Sequence, residues 1–234
     1  MGNEQHLLKR GNQMINVLSF SEVGGHRLNE DAFVVQEHPS EPGLWLCFVA
    51  DGQGGQAGGG LAARLACQVA LEAVLKCPPE SLSKPRTWSS IFQMADEAVR
   101  TEPAAGFTTL VGLCVSQDWL VGAANGDSAA VLLCGGQVTE LTHGQHKNPP
   151  IGSGGILPVP FSVSMSVPWR LLVMSDGVWK YASWERVFAS PGQMSGAELL
   201  VELQQAARLP RTGQFQDDFT VVLLEEANRE LRIS

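Results

Sequence analysis

Short apolar runs punctuate the chain, each cut off by glycine, proline or an acidic residue. The runs at 14–20 (MINVLSF), 32–36, 44–50 (LWLCFVA) and 108–115 (TTLVGLCV) have the length and β-rich content of strands. So do 119–124, 129–133, 169–174 (WRLLVM) and 219–224 (FTVVLL). Helical spacing is clearest over 61–76, where Leu61, Leu65, Val69, Val74 and Leu75 recur at close to one helical turn. Trp88, Ile91, Phe92, Ala95 and Val99 mark one face of a second helix over 88–100, and 179–189 and 197–208 predict two more. Three predicted strands follow one another between 108 and 133 with no helix between them, which implies antiparallel hairpins rather than parallel crossovers. The pattern therefore predicts an α+β fold with helices outside the sheets. The stretch 142–167, rich in glycine, proline and serine, predicts a surface loop or flap without elements of its own.

At 234 residues the chain can bury a full core. One domain is expected over 14–226, with a polar N-terminal segment at 1–13 and a tail at 227–234 outside it. No run approaches the roughly 18 apolar residues of a membrane span, so insertion is excluded. The opening MGNEQHLLKRGNQ lacks the apolar centre of a secretory signal, and His6 stands where a myristoylation signal carries Ser or Thr. A cytoplasmic, monomeric protein is the expectation.

Charge and thiols narrow the chemistry. The net charge is −8 and the basic residues are scattered, which leaves no stripe for a nucleic-acid backbone. Cys47, Cys67, Cys77, Cys114 and Cys134 are odd in number and form no CxxC pair. All five are expected to be reduced and buried, not disulfide-bonded, zinc-bound or nucleophilic.

The informative feature is where carboxylates interrupt the strands. Asp51-Gly52 follows LWLCFVA, Asp127 falls between two strands, and Asp176-Gly177 follows WRLLVMS. Glu30-Asp31 precedes AFVV, and Asp217-Asp218 precedes FTVV. Each Asp-Gly taken alone is a common turn. If these strand mouths converge, several like charges share one pocket, an arrangement that is unfavourable unless cations neutralise them. A donor set of oxygens alone selects hard cations such as Mg²⁺ or Mn²⁺ over zinc. Glycines 54, 55, 58, 59 and 60 ahead of the first helix resemble a phosphate cradle. The Lys-Ser/Thr pair of a nucleotide loop is missing, so they read as a tight loop feeding that helix.

In order, RLNED (27–31), VADGQGG (49–55), GDSAAV (126–131), MSDGVW (174–179) and DDFTVV (217–222) resemble the motifs of the type-2C metal-dependent protein phosphatases. The resemblance implies two antiparallel β-sheets packed as a sandwich between helices, with a metal site at one end. It implies that Asp51 bridges two Mn²⁺ or Mg²⁺ ions, that Asp176 and Asp217 complete one, and that Glu30 and the Gly52 carbonyl serve the other. Asp31 is expected to hold water bound at the metals, and Asp127 with Asp176 to support a weaker third ion. The two ions would furnish a bridging hydroxide that attacks phosphoserine or phosphothreonine on proteins phosphorylated by a Ser/Thr kinase.

The sequence also departs from that pattern. His26 holds the usual position of the phosphate-binding Arg, which leaves Arg27, one place on, as the candidate. Lys180 replaces a frequent Asp, and a short span between Asp127 and Asp176 implies a reduced flap. His143 and His146 read as polar loop residues. Two other readings stay open. One is an inactive scaffold, which would be expected to have lost some of these carboxylates; the other is a hydrolase of small phosphoesters.

Overall fold

The structure is a computed structural model that describes residues 5–6, 15–25, 27–53, 58–189 and 194–226. Two antiparallel sheets lie face to face. The first runs in the order β1 (Gln5–His6), β2 (Ile15–Glu22), β11 (Phe219–Glu226), β10 (Trp169–Met174), β7 (Ala129–Cys134), β8 (Gln137–Glu140). The second runs β3 (Asp31–Glu37), β4 (Trp45–Asp51), β5 (Leu110–Val115), β6 (Trp119–Asn125), β9 (Val159–Ser164). Helices α1 (Gly59–Lys76), α2 (Pro79–Leu82) and α3 (Pro85–Thr101) cover the outer face of the second sheet. Helices α4 (Asp176–Ala182), α5 (Trp184–Ala189) and α6 (Gly196–Ala207) cover the first.

Four layers explain why the central strands read as unbroken apolar runs. Side chains alternate across a strand. On β4, Leu46, Phe48 and Ala50 point into the helix layer, while Cys47 and Val49 meet Val173 and Val222 of the opposite sheet. Both faces are covered, so neither set can be polar. Phe48 and Trp88 are wholly buried, which stabilises the fold by about 1.5–3 kcal/mol for each such side chain. The Trp88 indole N–H is satisfied by the Leu82 carbonyl at 2.9 Å. On α1 the buried face is Ala62, Ala63, Ala66 and Ala70, small enough to bring the helix close to β3 and β4.

Four expectations need correction. The stretch 142–167 holds β9, which among the described residues is an edge strand paired only with β6. Its residues alternate between partly and fully exposed, so it lacks the apolar run that marks the inner strands. Strand β8 went unread for the same reason, although Gly135 and Gly136 (φ 58° and 77°) make the tight hairpin turn that leads into it. The single helix expected over 179–189 is two. It begins at Asp176 and breaks at Ser183, whose φ of 75° turns the chain so that Trp184 stacks on Trp179 at 5.3 Å. Finally, Cys47, Cys67 and Cys114 are buried, but Cys77 and Cys134 are only half-buried. The Cys134 thiol donates to the Ser166 carbonyl at 3.1 Å.

Candidate metal centre

The antiparallel register of β3 and β4 places Asp31 directly opposite Asp51. Like charges facing each other across a strand pair destabilise it, so this pairing is not explained by sheet formation. Asp176 opens α4 straight after β10, Asp127 lies in the turn between β6 and β7, and Asp217 stands two residues before β11. These strand ends meet at one cavity of about 380 Å³, whose walls include Asp51, Gly52, Asp127, Asp176, Asp217 and Asp218.

Neutral groups hold the acidic ones in place. The Asp51 N–H donates to Thr109 Oγ1 at 2.9 Å, and the Asp51 carbonyl accepts from Thr108 Oγ1 at 2.8 Å. Ser175 occupies the N-cap position of α4 without capping it. Its hydroxyl instead donates to Asp31 Oδ2 at 2.7 Å and accepts from the Thr220 N–H at 3.1 Å, which ties the two sheets together beside the cavity. Asp218 clips the approach loop, accepting from the N–H groups of Gly24 at 2.8 Å and Glu30 at 2.6 Å.

Backbone packing is tight at Gly52. A Cβ there would collide with the backbone of Gly59 and stand 2.7 Å from the Glu30 carbonyl oxygen. Gly52→Ala is therefore expected to cost about 1–3 kcal/mol, seen as a lowered thermal midpoint. An unchanged midpoint would mean that the loop gives way freely.

The electrostatics are strongly one-sided. Burial pushes the Asp51 carboxyl well above its ordinary range, and Asp31, Asp176, Asp127 and Asp217 push it further. Burial likewise raises Asp31 to about 7 despite the opposing hydrogen bonds from Ser175 and Thr220. Asp176 is raised by burial, with Lys180 pulling the other way. Burial works against the Lys180 ammonium, but its bond to Asp176 and the field of Asp127 and Asp217 lift it above the usual lysine value.

Do these residues fit a divalent cation? Among the described residues no three acidic, imidazole or thiol side chains already close round a common point. Two of the carboxylates, Asp127 and Asp176, are ion-paired with Lys147 and Lys180. The donor set nevertheless suits a hard ion: carboxylates on one cavity and a glycine whose bare backbone can approach closely. Asp31 Oδ1, buried beside that cavity, has no hydrogen-bond partner among the described residues. An orphaned carboxylate oxygen costs free energy unless something positive or donating reaches it. The residues fit.

Residues 22–150, more than half of the chain, match the family model described as Protein phosphatase 2C. The chain belongs to the protein phosphatase 2C family. No curated protein sequence matches it. Solved structures do, at low identity, and show the fold. RsbX in complex with magnesium superposes with a TM-score of 0.73 at 13% identity, over 96% of this chain and 100% of that one. The catalytic domain of the serine/threonine phosphatase PstP, in complex with two manganese ions, gives 0.71 at 20% identity, over 92% and 99%. The serine/threonine phosphatase of S. agalactiae gives 0.72 at 19%, over 90% and 98%.

In this 2C-family chain the structure brings Asp51, Gly52, Asp127, Asp176 and Asp217 to one cavity, with Asp31 buried behind Asp51. Glu30 and Arg27 do not line it. Arg27 is exposed, and Glu30 is half-buried with its backbone N–H on Asp218 and its carbonyl on the Gly52 N–H. His26, Gly54 and Gly55 lie outside the described residues. Sequence reasoning missed Thr108, Thr109, Lys147 and Asn148 on the cavity wall. The threonine pair carried a readable signal, since it stands at the mouth of an apolar strand just as the acids do. Lys147 carried none: only the path of the 141–158 loop brings it to Asp127.

Proposed function

We propose that the chain is a metal-dependent protein serine/threonine phosphatase that uses two Mn²⁺ or Mg²⁺ ions. The observation that carries this reading is the Asp31–Asp51 pairing at the mouth of a cavity shared with Asp127, Asp176 and Asp217. Buried like charges of this kind call for a cation. Two relatives of the same fold were solved with magnesium and with two manganese ions, which supports that choice. Bound ions would make hydroxide available near neutral pH and offset charge building on phosphorus.

The chain's own groups then have distinct tasks. Asp51, Asp176 and Asp217 would hold the ions with the Gly52 carbonyl, and Glu30 would join them by turning toward the cavity. Thr108 and Thr109 fix the Asp51 backbone, and so the point from which its carboxylate would reach the ions. Asp31, steadied by Ser175, would accept a proton from water at its unpartnered oxygen. Arg27 lies on the exposed approach loop, from which it would meet the incoming phosphoester. The substrates would be cytoplasmic proteins phosphorylated by a Ser/Thr kinase, and the enzyme would act as a monomer. Among the described residues no helix is long and apolar enough to cross a membrane.

Phosphate release from a phosphothreonine peptide and from an aryl phosphate, with Mn²⁺ and with chelator, tests the reading. Turnover of both, lost with chelator, is expected. Turnover of the aryl ester while every phosphopeptide is refused would overturn the protein-substrate assignment, and metal binding without any turnover would overturn the enzyme.

A further inference from the structure

Two lysines stand in this acidic cavity, and the catalytic reading uses neither. Lys180 lies four residues beyond Asp176 on α4, so both side chains project from one face of the helix. Its ammonium is ion-paired with Asp176 Oδ2, and the pair is well shielded, with side chains 35% and 9% exposed. The Trp179 ring adds a second restraint, its centroid 5.6 Å from Lys180 Nζ. The Trp179 indole N–H donates to the Asp127 carbonyl at 3.0 Å, which draws the turn bearing Asp127 against α4. Asp127 Oδ2 is in turn 2.6 Å from Lys147 Nζ.

The cavity is thus divided. On the Asp127–Asp176 side the chain supplies its own positive charge. On the other side, Asp51 has no Lys or Arg partner among the described residues, and the charges that act on it most strongly are carboxylates. Lys180 is the better fixed of the two cations, because the Lys147 side chain is 65% exposed and an ion pair that open to water contributes little.

We propose that Lys180 is a built-in cation that fills the Asp127–Asp176 corner, so that the site takes two divalent ions and excludes a third. A further ion entering that corner would have to displace the ammonium from Asp176 and then sit beside it. The inference rests on the two-ion reading above and goes beyond it in fixing the number of ions and the residue that sets that number.

The test is a count of bound Mn²⁺, by titration calorimetry and by the electron paramagnetic resonance signal of the free ion, with no substrate present. The wild-type chain is expected to bind two ions. Lys180→Asp is expected to bind three, since it exchanges the ammonium for a carboxylate beside Asp127 and Asp176. Lys180→Gln, which keeps the side chain long and removes its charge, is expected to admit the third ion at least tenfold more weakly than Lys180→Asp does. Circular dichroism confirms folding, and the wild-type count remains decisive should either variant fail to fold. Three ions in the wild type, or two in both folded variants, would overturn the role of Lys180. Fewer than two in the wild type would overturn both this role and the two-ion reading on which it rests.

Discussion

Asp51→Asn is expected to release phosphate on the order of 10³-fold more slowly than the wild type and yet to melt at a higher temperature in chelator. On the proposed function the loss follows because the ions would supply several kcal/mol of transition-state stabilisation, each ~1.4 kcal/mol being a factor of ten in rate. An amide cannot replace a carboxylate that would touch both ions. The gain follows because Asp51 is buried among four carboxylates that raise its pKa, so neutralising it relieves repulsion in the metal-free fold. Mn²⁺ should restore most of the wild-type midpoint and little of the variant's. A variant that is both inactive and less stable in chelator would show that Asp51 is a structural residue, and the metal assignment would lose its centre.

The second large effect is on pH dependence. Stability follows the difference in bound protons between unfolded and folded chains. Unfolded, Asp31 titrates near 3.8; folded, burial holds it near 7, with Asp218 and Asp176 adding to the rise. Between those values the folded chain keeps a proton that the unfolded chain has released. Metal-free stability therefore falls as pH rises through this window, and the contribution of Asp31 levels off above its folded value. For Asp31 alone the fall is on the order of 4 kcal/mol, or roughly 10 °C in melting temperature for a domain of this size. Divalent ions favour the ionised carboxylates, so added Mn²⁺ should raise the midpoint most near pH 8 and least near pH 5. Melting curves in chelator and in Mn²⁺ from pH 4.5 to 8.5 measure this. A midpoint in chelator that climbs between pH 5 and pH 7 would contradict the burial of these acids.

The legible parts of the fold were those buried on two faces. β4 and β10 announce themselves because both sides must be apolar, and the residue that stops each run, Asp51 or Asp176, is conspicuous for that reason. β9 was not legible because only half of its positions face the core, and Pro160 argued against a strand. The break at Ser183 was equally hidden, since it depends on Trp184 finding Trp179, a contact made by the turn itself. At the site, sequence order supplied the acids but not their neighbours. Asp217 and Asp218 look alike in the chain, yet Asp218 spends its carboxylate on the Gly24 and Glu30 amides, a task visible only once β11 lies beside β2.

Pro160 has a consequence of its own. β9 bonds to β6 on one side, and among the described residues its opposite side borders no other strand. Such a rim is where a foreign strand would dock and propagate a fibre. Proline has no amide hydrogen to offer, so Pro160 cannot donate to a strand laid along this rim. Pro160 thus leaves this border of the sheet a poorer template for a further strand.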